Sequence, residues 1–211
     1  MPRESGLRDR KKLQTRRRLA DAAALLFAEK GYDAVTMTEV ARAAEVSEQT
    51  VYNYFPAKQD LVLDLAETIR ERYGRVTRDR EQGISPARAL EPLIREDIER
   101  YRTTQLHEAR GEFPAQCLES AVLRRFALEE RERQTRTICD AIIATDPDIP
   151  TVVAYSHAAA LVAVIQVIID DIGACVLARS AQDTAAATMQ ATVQDAFDHL
   201  DRVFAALATD D

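Results

Sequence analysis

Gln49, Thr50, Tyr52, Asn53 and Tyr54 fall within six residues, and no acid follows Glu48 before Asp60. Glutamine and asparagine carboxamides can bond bidentately to adenine, and threonine offers a hydroxyl and a methyl group to thymine. Gln49, Thr50 and Asn53 are therefore candidates to read base edges, and Tyr52 can pack on a thymine methyl or donate to a phosphate. Contacts to phosphate fix register, whereas contacts to bases specify sequence. The phosphate candidates are Thr36, Thr38, Tyr54, Lys58 and a basic stretch that includes Arg8, Lys11 and Lys12. For each residue the competing reading is a polar side chain that meets only solvent.

Such side chains need a rigid carrier, and the flanking sequence describes one. Thr36 can cap a helix, with Glu39 three residues on closing a capping box. Met37, Val40, Ala41 and Ala44 then make one apolar stripe at i, i+3, i+4 and i+7. Glu45-Val46-Ser47 breaks that pattern. Ser47 can cap a second helix from Glu48 to Phe55, with Val51 and Phe55 inward and Pro56 just past its end. Helix, tight turn, helix is the layout whose second member enters a major groove. Lys58 follows Pro56-Ala57, where a new helix begins and its backbone N–H adds to its ammonium charge.

This segment resembles the TetR (tetracycline-repressor-like) family of bacterial transcription regulators. The resemblance rests on Phe27, Gly31-Tyr32, Thr36, Val40-Ala41, Ala44, Val46-Ser47, Thr50, Tyr52, Tyr54-Phe55, Lys58 and Leu61, over roughly the first 65 residues. It implies an all-α chain: a three-helix DNA-binding domain at residues 1–56 and a helical ligand-binding and dimerisation domain at 57–211. It also matches Lys58 to the family's phosphate-contacting lysine. One departure stands out. The family usually carries glycine or another residue tolerant of left-handed backbone where this chain has Glu45, and a side chain there costs on the order of 1 kcal/mol. Glu48 is a second oddity: its charge suits a helix start but repels phosphate, unless it accepts from a cytosine amino group.

Net charge is −7, which read globally argues against a nucleic-acid partner. Read by segment it does not. Residues 1–20 hold eight Lys/Arg against two acids, and residues 61–211 hold 17 against 26. The basic charge lies beside the helix-turn-helix. A hydrophobic share of 46% with only six glycines and seven prolines suits a mostly helical core. Cys117, Cys139 and Cys175 are isolated, so buried free thiols in a reducing cytoplasm are favoured over a redox sensor. His107, His157 and His199 lack metal spacing, so neither metal nor cofactor is expected. There is no Gly-rich phosphate loop, no GxSxG and no HExxH, so no catalytic residues are assigned.

Along the chain, residues 1–7 read as a loose tail and Arg8–Lys30 as a helix with a basic front, either a solvated helix start or, as favoured here, a phosphate-contacting arm. A helix is expected from Lys58 to about Gln82. Ser85 then caps another that starts with Pro86 and runs to about Gln105. Residues 106–113 form a loop or junction, followed by a short helix at 114–123 and a longer one at 124–145. Residues 146–150 are the clearest loop. Two long helices, Thr151–Arg179 and Ala181–Ala208, finish the chain, with Ser180 and Asp183 as a capping pair between them. The run 158–169 contains Gln166 and is followed by Asp170-Asp171, so it reads as too short and too polar to span a membrane, and no membrane partner is expected.

The last two helices, about 151–208, can pair with those of a second copy as a four-helix interface, the task they perform in the family. The resemblance also implies an unidentified, largely apolar small-molecule effector held in the C-terminal domain. Phe126, Val164 and Ile168 are expected in its walls, with Tyr101, Gln166 and Asp170 as polar handles. Asp170 and Asp171 interrupt an apolar helix, and a buried acid needs a partner: a cationic ligand, an arginine such as Arg124 or Arg125, or water at a dimer edge. The whole reading is a cytoplasmic, homodimeric, ligand-released repressor on a double-stranded, pseudo-palindromic operator, with half-sites about 34–36 Å apart or slightly more. The alternative is a helical dimeric DNA-binding or architectural protein without an effector; a C-terminal cavity of several hundred Å³ would favour the sensor.

Overall fold

The computed structural model describes the backbone of residues 3–207 and the side chains of residues 10–207. The described residues form ten α-helices and no strand: α1 Arg3–Lys30, α2 Met37–Ala43, α3 Glu48–Tyr54, α4 Ala66–Arg78, α5 Pro86–Thr103, α6 Leu106–Ala109, α7 Phe113–Glu119, α8 Ala121–Thr145, α9 Thr151–Ala178 and α10 Gln182–Leu207. A single 3-10 turn, Lys58–Leu61, joins α3 to α4. Two cores hold them. The first gathers Leu19, Ala23, Phe27, Val40, Val51, Phe55 and Leu61, and takes in Cys117, Leu123 and Ala127 from α7 and α8. The second runs from Tyr73 to Phe204 and contains Ile98, Tyr101, Ile138, Leu161, Ile165 and Phe197.

Several boundaries differ from expectation. The tail is helical from Arg3; residues 3–10 contain no proline and one glycine, so nothing stops the helix from running on. The expected helix from Lys58 to Gln82 is broken. Asp60 accepts from the Ala57 N–H at 2.9 Å and Asp64 is held by Arg16 at 2.6 Å, which keeps this stretch folded against the first core. α4 therefore starts at Ala66, leaves Leu65 exposed, and buries Tyr73, Gly74 and Thr77 instead. Gly74 allows α4 to approach α8 closely, because a Cβ there would lie 2.5 Å from Thr137 Cγ2. The α7–α8 boundary falls at Ser120, whose hydroxyl accepts from the Leu123 N–H. Ser85 caps α5 as expected, accepting from the Arg88 N–H at 3.2 Å.

The pair of Ser180 and Asp183 does not cap α10. α9 ends with Arg179 in left-handed backbone, and Asp183 accepts instead from Arg102 at 3.1 Å. The last residue of the expected final helix, Ala208, lies outside the described residues. The run 158–169 lies within α9, and Thr151–Ala178 is long and apolar enough to cross a membrane by length and composition alone, a test that the core helix of a globular protein also passes. Beyond Asp170-Asp171, Ile172 and Val176 continue the apolar face. In the single chain only 44% of its most apolar window is buried.

Candidate nucleic-acid interface and effector cleft

The helix-turn-helix is built from local bonds. The Thr36 hydroxyl accepts from the Glu39 N–H at 3.2 Å, and the Glu39 carboxylate accepts from the Thr36 N–H at 2.9 Å. Lys30, and then Thr36, hold the Glu39 carboxyl down to about 2. Between the helices Glu45 adopts φ 53, and the Val46 N–H reaches back to the Ala41 carbonyl at 3.0 Å. That is a Schellman closure with a glutamate where glycine is cheapest. Ser47 caps α3, accepting from the Thr50 N–H at 3.1 Å, while Val51 and Phe55 are fully buried beneath it.

On the outer side of α3, Gln49 and Asn53 share one face, and the Gln49 amide donates to Asn53 Oδ1 at 3.1 Å. This bond leaves Gln49 Oε1 as an acceptor and the Asn53 amide as a donor, the pair of functions that an adenine edge matches. Tyr52 is 42% exposed. The Thr50 hydroxyl lies 2.8 Å from that of Ser47, inside the cap. Tyr54 is half-buried and packs on the first core.

Three of the expected phosphate contacts are turned to other partners. The Lys58 ammonium donates to the carbonyls of Tyr32, Asp33 and Val35 at 2.8, 3.3 and 2.9 Å and sits 4.2 Å from the Tyr32 ring centre. Burial lowers its pKa, and Asp33 opposes that shift. The Thr38 hydroxyl donates to Glu48 at 2.9 Å, so Glu48 ties the two helices together rather than standing bare before a phosphate. The Thr36 hydroxyl donates to Glu39 at 2.9 Å. Lys11 and Lys12 are exposed on α1; the side chain of Arg8 lies outside the described residues.

Sequence reading missed two residues that place this interface. Arg16 donates to Asp64 at 2.6 Å and to the Tyr54 carbonyl at 2.9 Å, and stacks 4.4 Å from the Phe55 ring centre, so it fixes the end of α3 against α1. Gln116 on α7 reaches the end of α1. Neither role has a local signal, because the bonds that reach the interface join positions far apart in the chain.

The six expected effector residues do not converge. Gln166 and Asp170 line a cleft of about 470 Å³ between α8 and α9, with Arg131, Glu132, Thr135 and Tyr155. Tyr101 and Ile168 are buried in the second core, Val164 packs against it, and Phe126 is half-buried outside the cleft. Burial, then the neighbouring Cys175, pushes the Tyr101 hydroxyl up to about 12. Asp170 does pair with an arginine, but the arginine is Arg131, at 3.4 Å, rather than Arg124 or Arg125; Gln166 donates to its other oxygen at 2.8 Å. A second cleft of about 420 Å³ lies at the α4–α5 connection, beside Arg75, Asp79, Arg80 and Ile84. Burial pushes the Cys117 thiol up to about 12 and raises that of Cys139, which disfavours the reactive thiolate at both. His157 is buried against Phe204, and burial, aided by Arg80, lowers its pKa to about 4. Among the described residues, no group of three or more His, Cys, Asp or Glu side chains could hold a metal ion.

The family model described as bacterial regulatory proteins, tetR family, matches residues 19–65. The HTH-type transcriptional regulator TcmR of Streptomyces glaucescens is 31% identical over 110 residues, which are 52% of this chain and 49% of TcmR. The uncharacterized HTH-type transcriptional regulator YvkB of Bacillus subtilis (strain 168) is 48% identical over 48 residues, 23% of this chain and 25% of YvkB. The chain thus spans between a quarter and about half the length of these curated relatives. The solved structure of NalD, the secondary repressor of the MexAB-OprM multidrug efflux pump in Pseudomonas aeruginosa, shares the fold with a TM-score of 0.59 at 22% identity, covering 88% of this chain and 96% of NalD. Residues 19–65 thus resemble the DNA-binding module of the tetR family of bacterial regulatory proteins, and the capped helix-turn-helix and the shared fold agree with that likeness.

Proposed function

We propose that the chain is a transcriptional repressor that binds a pseudo-palindromic operator as a homodimer and is released by a small molecule. The observation that carries this reading is the outer face of α3, where Gln49, Tyr52 and Asn53 are exposed over a helix whose two ends are fixed by Ser47 and Arg16. We divide the chain into a DNA-binding part, residues 1–56, and an effector-binding and dimerising part, residues 57–211. Lys11 and Lys12 supply phosphate contacts from α1, and Lys58 supports the reader from beneath.

α9 supports the dimer. Val152, Ser156, Ala163, Val167 and Ala174 are exposed along one helical stripe, with Val152 at 71% and Val167 at 52%. On α10 Val203 is 41% exposed. Covering this apolar surface with a second copy would bury it as a four-helix interface. The α8–α9 cleft opens on the same face, since Ala163 and Val167 belong to both, so a partner would close over it. Its volume suits a small ligand, which favours the sensor over an architectural protein. Such a regulator acts in the cytoplasm and needs no catalytic group.

Selection of bound fragments from random double-stranded DNA tests the reading. A palindrome with half-sites about one helical turn apart, or slightly more, is expected. Asn53→Ala should change the preferred base at one position in each half-site while leaving affinity for scrambled DNA unaltered. No enriched palindrome would refute the operator, and equal losses on matched and scrambled DNA would remove Asn53 from the reading of bases.

A further inference from the structure

The end of α1 is completed by a side chain from the other part of the molecule. Gly31, at φ +77, closes the helix by donating its N–H to the Phe27 carbonyl at 2.9 Å. That is the αL form of closure; in a Schellman motif the next N–H, that of Tyr32, would return to Phe27 in its place. Here the carboxamide of Gln116, from α7, stands in that gap. Gln116 Oε1 accepts from the Tyr32 N–H at 2.8 Å, and Nε2 donates to the Phe27 carbonyl at 3.2 Å and to the Arg110 carbonyl at 2.6 Å. An N–H can only donate and a carbonyl can only accept, so these partners determine which way the amide faces. Gln116 is fully buried, and every bond is within reach of a normal geometry.

The surrounding contacts make this a mechanical joint. One step further on, the Ser120 hydroxyl donates to Asp33 at 2.8 Å. Gly111 packs so closely on α1 that a Cβ there would lie 1.9 Å from the Ala24 carbonyl oxygen. On the opposite side, α7 is pressed on α9, where a Cβ on Gly173 would lie 2.3 Å from the Pro114 carbonyl oxygen. α7 is thus held between the α1–α2 turn, which Lys58 grips from the other side, and the helix with the exposed apolar stripe.

We propose that Gln116 is a positioning residue that couples the two parts: its amide replaces the missing cap bond of α1, so a displacement of α7 relative to α9 moves the turn that carries α2 and α3. The inference rests on the reading of the chain as an operator-binding dimer. Without Gln116 the Tyr32 N–H can return to Phe27, which closes the cap within α1 and separates it from α7. Coupling between sites is reciprocal, so DNA alone can report it without an effector.

The test is hydrogen exchange read by mass spectrometry on the full chain, with and without the duplex recovered by selection. In the unaltered protein, operator binding should slow exchange in residues 27–35, 106–120 and 166–178. In Gln116→Met, which keeps the volume and removes the bonds, operator affinity should stay within about fivefold. The operator-linked change in 106–120 and 166–178 should fall below one third. A variant weakened only in stability would exchange faster everywhere, with and without DNA, and keep that difference. Persistence of the full difference in Gln116→Met, or its absence from the unaltered protein, overturns the coupling. Should Gln116→Met fail to fold, Asp33→Ala removes the Ser120 bond at an exposed position, together with the attraction of that carboxylate for Lys58, and should cut the difference by half; no reduction overturns the proposal. A selection that recovers no duplex defeats the operator reading instead, so the two failures are distinguishable.

Discussion

Lys58 spends its three N–H donors on three backbone carbonyls, and that changes what it can offer DNA. A lysine at a phosphate releases counterions, and each contact adds about 0.9 to the slope of log K against log salt. A lysine that supports the α1–α2 turn adds nothing to that slope. Lys58→Met should therefore destabilise the fold by about 1.5–3 kcal/mol, because the carbonyls lose a charged donor, and leave the salt slope unchanged. Lys12→Ala should do the opposite: unaltered stability and a slope smaller by about 1.8 for two protomers. Operator titrations from low to moderate salt, with denaturant unfolding alongside, check both; a reduced slope for Lys58→Met would return it to the phosphate. The sequence placed Lys58 at the right end of the right motif but could not say what it faces. The same holds for Thr38, whose partner Glu48 lies ten residues on, and for Gln116, whose partners on Phe27 and Tyr32 lie more than 80 residues back. Caps such as Thr36, Ser47 and Ser85 were legible because both partners lie within three residues.

Elements were legible where their ends carry such signals and obscure where a distant contact decides. α2, α3 and α5 begin at their expected residues. The 3-10 turn at Lys58–Leu61 was not foreseen, since apolar spacing alone let one helix run through it, and only Asp60 and the distant Arg16–Asp64 pair show why it breaks. The α2–α3 turn lies between these cases: its place was readable, and the left-handed backbone of Glu45 confirms what it demands. A Cβ in that region costs about 1–2 kcal/mol, and β-branching makes it worse. Glu45→Gly should match the unaltered protein or gain up to about 1 kcal/mol, part of the relief being offset by the freer unfolded chain. Glu45→Val should lose about 1–2 kcal/mol. Thermal unfolding of both variants decides; equal stability for the valine variant would mean that the turn relaxes to another shape.

At the scale of the whole molecule, charge and apolar surface are separated. The basic residues of the first 20 positions adjoin the reader, whereas the acidic excess lies beyond residue 60. The unburied apolar stripe lies on α9, within the C-terminal part. A helix apolar enough to span a membrane, yet less than half buried within its own chain, needs a second surface to cover it. In the proposed dimer a second copy would satisfy this need and present two α3 helices together, so the second half-site would be bound at a high effective concentration. Val167→Arg places a charge at the centre of that stripe. It should convert the proposed dimer to a monomer in sedimentation and weaken operator binding by about 100-fold or more, while binding to a single half-site stays as it was. Ile84→Arg, at the α4–α5 connection and also exposed, should change neither. A Val167→Arg protein that still sediments as a dimer would move the interface off α9, and a monomer with undiminished operator affinity would separate dimerisation from DNA recognition altogether.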